Sequence, residues 1–288
     1  MATTIKQSFQ ELRSNLEITT LQQQTVSSRQ QNVRDAIATE LTVLDSFLTG
    51  SYRRSTMIAP LKDADIDVFV VLDDLALKQN GPVFLLDKVK AILKKTFPKT
   101  PKISRNGQAV TIRFSDFTVD VVPAFDRQSG GYQIADSING SWIVTDPKKH
   151  VYLWSMANLA HQGDLVPLIK IIKVWNRQNG GLLRSFHLES MILEILQNIT
   201  ISDLSSGSRY IFEKARQTVK SAIYDPSGYG GNIANYLNTQ QKINDVVNRL
   251  DCSYSRAVEA ENLEALGKTD MAVEKWRLIF GDYFPVYG

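Results

Sequence analysis

Cysteine is nearly absent from this chain of 288 residues: Cys252 is the only one, so no internal disulfide can form. Three dispersed histidines add no zinc-ligand spacing. A disulfide framework and a structural zinc module are thereby excluded, and a reducing, cytoplasmic setting is expected. Long apolar runs are missing too. The longest, such as Val68 to Leu72, are far too short to span a bilayer. Met1 through Leu21 is polar and mixed in charge, without the apolar core of a signal peptide. No membrane partner is expected. Charge of one sign is also scarce, with 33 Lys and Arg against 30 Asp and Glu for a net +3. The bulk composition therefore gives no reason to expect a polyanionic partner, although a local basic site for a small anion remains compatible with it.

What is present is the composition of an ordinary globular protein, 43% hydrophobic and 22% charged. The length suffices for one large domain or two lobes around a shared cleft. Apolar residues at helical spacing (Val33, Ile37, Leu41, Leu44, Leu48), with neither Gly nor Pro before Gly50, predict helix from about Ile5 to Leu48. After Gly50 the pattern changes. Ile66 to Leu72 is rich in β-branched residues and predicts a strand, and Val83 to Phe97 predicts an amphipathic helix closed by Pro98. Ala109 to Phe114 and Phe117 to Val122 predict two further strands, the second stopped by Pro123. From about Pro147 the chain reads as nearly all helix: His150–His161, Leu165–Asn176, Phe186–Ile199, Tyr210–Val219 and Tyr236–Leu266. The expectation is an α+β fold with a core at residues 1–146 and a helical lobe at residues 147–288, packed together because no Pro/Ser linker separates them.

The most informative stretch is Gly50-Ser51-Tyr-Arg-Arg-Ser-Thr56, followed by Asp63-Ala-Asp65-Ile-Asp67 and the apolar run to Leu72. Residues two apart on a strand project to one face, so Asp63, Asp65 and Asp67 would crowd three carboxylates together. Such charges repel and raise one another's pKa unless a cation lies between them. Carboxylate oxygens suit Mg²⁺, which commonly takes one or two carboxylates plus substrate phosphates. Asp120, alone among apolar residues in Phe117-Thr-Val-Asp-Val-Val-Pro-Ala-Phe125, is the candidate for a further ligand, since a charge there is costly unless paired or coordinated. Gly50 and Ser51 would let backbone approach phosphate closely and add a hydroxyl. Each piece has a bland reading, a solvated strand edge for the acids and an ordinary turn for Gly-Ser; their conjunction favours phosphoryl transfer.

Gly-Ser-Tyr, then an Asp-x-Asp strand, then Asp-Val-Val-Pro-Ala-Phe resembles the nucleotidyltransferase core of oligoadenylate synthetases, cyclic GMP-AMP synthase and the bacterial cGAS/DncV-like enzymes of CBASS anti-phage systems. In several members the paired acids fall twelve and fourteen residues after the serine. That register favours Asp63 and Asp65, with Asp120, as catalytic metal ligands; the apolar run directly behind Asp67 favours Asp65 and Asp67 instead. The first pair is taken, with Asp67 as the alternative to Asp63, and Asp65 belongs to both. The resemblance implies a polymerase-β-like sheet with flanking helices, a C-terminal helical lobe and an N-terminal spine helix.

The resemblance extends through the helical half, from about Phe47 to Pro285 in all. Lys170 and Lys173 lie three apart in Leu168-Ile-Lys-Ile-Ile-Lys-Val-Trp-Asn176, on one helix face, where a solvated basic edge is the bland reading. Lys173 matches the family's lysine that grips the donor triphosphate, with Lys170 as a helper. Ser185 and Phe186 match the stretch whose serine reaches the triphosphate and whose aromatic ring stacks on the donor base; Ser185 also reads as an N-cap. Tyr224-Asp-Pro226 with Asn232, and Trp276 to Pro285, resemble later family segments.

The implied activity is condensation of nucleoside triphosphates (ATP, GTP, UTP or CTP) into a cyclic di- or trinucleotide second messenger with release of pyrophosphate. It would use two Mg²⁺ ions, for which Mn²⁺ can substitute. A downstream effector protein and a regulatory protein partner are implied, whereas no zinc module or basic stripe argues for obligatory nucleic acid. Alternatives are a linear oligonucleotide synthase, another nucleotidyltransferase, or an inactive nucleotide-binding sensor on the same fold.

Overall fold

A computed structural model describes residues 2–100 and 102–288. The chain forms two compact units: one is Ile18–Tyr152, and the other joins the first helix, through Glu17, to Leu153–Gly288.

The helix expected from Ile5 to Leu48 is in fact three elements, so no single spine helix exists. They are α1 (Ile5–Asn15), α2 (Thr20–Ala38) and β1 (Val43–Leu48). The break has a chemical cause. Thr19 accepts from the Gln22 backbone N–H at 3.2 Å while the Gln22 side chain accepts from the Thr19 N–H at 2.8 Å, a capping box that starts a new helix. Residues 43–48 fit a helical period, but their backbone pairs antiparallel with β2, and that tertiary ladder overrides the spacing.

In the sheet unit, α3 (Gly50–Arg53) leads through a 3-10 turn (Leu61–Asp63) to β2 (Asp65–Leu72). Then come α4 (Leu75–Gln79), α5 (Pro82–Thr96), β3 (Ile103–Asn106), β4 (Ala109–Arg113), β5 (Thr118–Asp126), β6 (Tyr132–Asp136) and β7 (Ser141–Thr145). The seven strands form one sheet in the order β1-β2-β5-β4-β3, with β6 bridging β5 to β7. Only β2 and β5 run parallel. Strand β5 continues past Pro123, contrary to expectation. It pairs with β4 over Thr118–Val121 and with β6 over Ala124–Asp126, so Pro123 falls in the gap between these two partners. Val26, Val33 and Ile37 of α2 and Leu85, Leu86, Val89, Ile92 and Leu93 of α5 cover one sheet face, packing on Ile66, Val68 and Val70. Each fully buried side chain of this kind contributes roughly 1.5–3 kcal/mol.

The other unit is helical: α6 (Pro147–Ala160, of which the part from Leu153 belongs here), α7 (Leu165–Gln178), α8 (Ser185–Leu196), α9 (Leu204–Thr218), α10 (Gln240–Ala265) and α11 (Thr269–Phe280). Helix α1 is anchored here because Phe9 sits edge-on to Trp276 at 4.9 Å and to Phe284 at 5.1 Å, inside the aromatic tail. No helix among the described residues is long and apolar enough to cross a membrane.

Candidate active site

Strand alternation separates the acids of β2 from its core face. Ile66, Val68, Val70 and Leu72 enter the helix-covered core, whereas Phe69 and Val71 pack into a smaller cluster with Ala124, Tyr132 and Ile134. Asp65 and Asp67 share the parity of Phe69 and Val71, and Asp120 shares that of Ala124. All three therefore project from the sheet face opposite α2 and α5. The parallel register sets Asp67 beside Asp120 and Asp65 beside Thr118.

Asp63 lies outside this register. It ends the 3-10 turn, its N–H donating to Pro60 O at 3.1 Å, and the strand begins only at Asp65. The expected three-carboxylate strand face is thus two carboxylates from β2 and one from β5. Burial pushes the Asp65 carboxyl up, opposed by the Arg113 charge. Burial likewise pushes Asp120 up. The Thr111 hydroxyl, donating to Asp120 Oδ1 at 2.5 Å, and Arg113 oppose that rise, and the Asp65 charge adds to it. Two desolvated carboxylates that disfavour each other's ionisation are a place where a cation is welcome. Among the described residues no three His, Cys, Asp or Glu side chains converge closely enough to hold an ion unaided. Carboxylate oxygens are the donors that a hard cation such as Mg²⁺ prefers, with water and phosphate oxygens completing its shell.

The Gly50-Ser51 turn is stitched to the same place. The Thr49 N–H donates to the Asp67 carbonyl at 2.9 Å, and Ser51 O accepts from the Thr56 and Met57 N–H groups at 2.9 and 3.1 Å. Gly50 has φ +61, and a Cβ there would lie 2.6 Å from Asp67 Cγ. Glycine is required here both by its left-handed backbone and by the approach of the carboxylate.

In the helical unit, Lys170 and Lys173 do not form a solvated basic edge. Both are buried in α7, Lys170 Nζ 2.7 Å from Glu17 Oε2 and Lys173 Nζ 3.1 Å from Glu189 Oε1. Ser185 is the first residue of α8 and exposed; the N-cap is Arg184, not Ser185. Phe186 is half-buried and stacked on Trp154 at 5.8 Å with 20° between the rings. The approach to α8 is rigidly built. Asn176 bonds both the N–H and the carbonyl of Leu183, at 2.9 and 2.7 Å. The Tyr236 hydroxyl accepts from the Arg184 N–H at 2.9 Å and bonds His187 Nδ1 at 2.7 Å. Burial pushes the His187 imidazole down to about 4, so near neutrality it is uncharged, with one ring nitrogen a donor and the other an acceptor.

Sequence reasoning passed over Thr111, Arg113, Trp154, Glu189 and Tyr236. Thr111 was within reach, because β4 and β5 were both predicted and their turn fixes Thr111 opposite Asp120. Glu189 is a charge inside an otherwise apolar helix face, itself a signal of a buried partner. Trp154 and Tyr236 meet their partners only through tertiary packing.

The chain matches the family model described as the Second Messenger Oligonucleotide or Dinucleotide Synthetase domain over residues 3–158. It is 27% identical to the cyclic AMP-AMP-AMP synthase of an Acinetobacter species over 98% of this chain and 86% of that protein. Among solved structures it is similar to Escherichia coli CdnC bound to ATP, with a TM-score of 0.78, 16% identity, and coverage of 97% of this chain and 98% of that one. It is similar also to the Vibrio cholerae cyclic AMP-GMP synthase DncV, with a TM-score of 0.72, 17% identity, and coverage of 98% and 87%. These last two likenesses establish the fold, a mixed sheet with flanking helices. With a sheet that gathers carboxylates beside a Gly-Ser turn, and a family model matching over half its length, this chain belongs to the Second Messenger Oligonucleotide or Dinucleotide Synthetase family.

Proposed function

We propose that this protein condenses nucleoside triphosphates into a cyclic oligonucleotide, and that Asp65, Asp67 and Asp120 are the carboxylates that serve the reaction. The observation that carries the reading is their shared sheet face, with Asp65 and Asp120 both raised by burial and Gly50-Ser51 bonded through Thr49 to Asp67. Asp63, favoured by the family spacing, is assigned to the rim because it ends the 3-10 turn and precedes the strand.

The chain's own groups divide the work. The carboxylates would hold a cation bound with the triphosphate, their negative charge balancing its positive charge. When bound, Mg²⁺ supplies electrophilic stabilisation of the phosphates and acidifies the acceptor ribose hydroxyl. Thr111 fixes the Asp120 carboxylate through its hydroxyl. The Ser51 hydroxyl and the Gly50 backbone are assigned to phosphate, as are Lys173 and Ser185, with Lys170 as a helper. Phe186, already stacked on Trp154, is assigned to the donor base. Attack of the ribose oxygen on the α-phosphorus forms the new phosphodiester bond, breaks the bond to the bridging oxygen and releases pyrophosphate. The step is repeated, and a last, intramolecular attack closes the ring of a di- or trinucleotide. The name of the Acinetobacter relative makes ATP the substrate to try first.

The test is incubation of nuclease-treated protein with all four triphosphates and Mg²⁺, followed by mass spectrometry and nuclease mapping. A cyclic product made without added DNA or RNA is expected, and a linear product alone would favour the runner-up. Asp67→Asn should abolish product and Asp63→Asn should only reduce it; the reverse order would overturn the carboxylate assignment.

A further inference from the structure

We infer that Glu189 keeps Lys173 charged and aimed for a nucleoside triphosphate, a positioning role that rests on the assignment of Lys173 to the donor phosphates. Lys173 on α7 and Glu189 on α8 meet at 3.1 Å, their side chains only 9% and 0% exposed. An ammonium removed from water tends to shed its proton, and a buried carboxylate tends to take one up. Within a few ångströms of each other, each holds the other ionised. Such a pair is a poor device for stability alone, because well-packed apolar residues of similar volume do as well or better. What the pair provides is a cation already stripped of water and fixed in direction before the substrate arrives.

Helix α7 packs against α1, α8, α9 and α11, and its Trp175 donates to Ser253 of α10 at 2.7 Å. Among the other charges on these helices, Lys6, Glu11 and Asp270 are exposed, and those named next have their own partners. Lys170 meets Glu17, Arg177 meets the Tyr283 hydroxyl, and Arg13 meets Asp164. Arg209 meets Glu213 and Glu261, Arg216 meets Asp251, and Lys214 also meets Glu213. Lys275 meets Glu259, and Arg277 meets Glu274 and Asp282. His187, two residues before Glu189, is neutral near pH 7. Glu194, further along α8, is exposed. Glu189 is a carboxylate at salt-bridge distance from Lys173. Lys170 differs, since its partner Glu17 is 54% exposed and the pair opens to water.

The test is equilibrium binding of a non-hydrolysable ATP analogue from pH 6.5 to 9.5, by calorimetry. Glu189→Gln keeps the shape and an acceptor oxygen but removes the charge. It should weaken binding roughly tenfold at pH 8, the equivalent of one pKa unit, and introduce a basic limb, with affinity falling as Lys173 loses its proton. Wild type should show no such limb in this range. Adding Lys173→Arg to Glu189→Gln should abolish the limb, because a guanidinium stays charged. A parallel, flat loss in Glu189→Gln would mean packing alone and would overturn the proposal. If Lys173→Ala binds the analogue as tightly as wild type, the assignment of Lys173 itself fails, which is a separate outcome. Should Glu189→Gln not fold, the exchanged pair Lys173→Glu with Glu189→Lys keeps the site neutral. It is expected to lose binding at every pH, and retained affinity there overturns the proposal.

Discussion

Replacing Gly50 by alanine tests the acid register with a single methyl group. Two costs can be read from the geometry. Gly50 has φ +61, and an L-residue forced into that region costs roughly 1–2 kcal/mol. For a chain of this size that lowers Tm by a few degrees, at about 2–4 °C per kcal/mol. The second cost is positional. The new Cβ would lie 2.6 Å from Asp67 Cγ and 3.2 Å from Asp67 Cβ, inside ordinary contact distance. The carboxylate is the flexible end, so it will swing away by about 1 Å or more, a displacement that can cost on the order of 100-fold when it occurs at reacting groups. Gly140 supplies the control: φ is +62 and no atom lies within 4 Å of its Cβ position. Thermal melts and pyrophosphate release should therefore diverge. Both variants should lose a few degrees, while only Gly50→Ala loses about two orders of magnitude in kcat. Equal activities in the two variants, or near-wild-type turnover in Gly50→Ala, would refute the placement of Asp67 in the reaction.

Three further outcomes follow from the same geometry. Because burial and Asp65 raise the Asp120 carboxyl, its ionised form opposes folding above the normal carboxylate range, so Asp120→Asn should melt at or above the wild-type temperature near pH 7 without divalent cation. Its turnover should fall at least about 100-fold, and added Mg²⁺ should raise its Tm less than that of wild type; a destabilised Asp120→Asn would contradict the charge argument. Phe186→Ala should weaken binding of all four triphosphates by a similar factor, on the order of tenfold from a stacking contribution of about 1–3 kcal/mol, whereas a loss confined to one base would mean that the ring reads base identity. His187, lowered from 6.5 to about 4, binds its proton more readily in the unfolded chain, so acidification between those values should erode stability by up to about 3 kcal/mol. Urea titrations at several pH values should show that slope in wild type and a flatter one in His187→Gln.

Elements with strong local period were legible. Strand β2 shows a run of β-branched residues, α5 an amphipathic stripe before Pro98, and α7, α8 and α10 helical spacing near their observed bounds, whereas α9 starts at Leu204, six residues before its expected start. The short edge strands were not. Strand β1 carries Leu44 and Leu48, which continue the spacing of Leu41 and fit a helix, and only its ladder with β2 makes it a strand. Strands β6 and β7 flank Ser137-Ile-Asn-Gly140, whose Asn-Gly pair is a hairpin signal that could have been read. The capping box at Thr19 and Gln22 was equally readable and would have split the N-terminal helix. Pro123 misled in the other direction, because a proline breaks a ladder only where a partner needs its N–H.

The site was legible as a set of charges but not as a set of pairs, and the difference is physical. Three acids at alternate positions leave open which two share a strand face. The answer depends on where the strand begins, which is set by the turn after Pro60 and by pairing with β5 more than fifty residues later. The two lysines of α7 show the same limit. Their spacing of three puts them on one face, yet one is held by Glu17, 153 residues earlier, and the other by Glu189, 16 residues later. Spacing fixes direction within an element, whereas burial decides whether a charge needs a partner, and only the fold supplies that partner. For this chain the residues most informative about chemistry are therefore the ones that look least comfortable in their local sequence. Asp120 inside an apolar strand and Glu189 inside an apolar helix face each mark a place where a second charge, from the protein or from its substrate, must arrive.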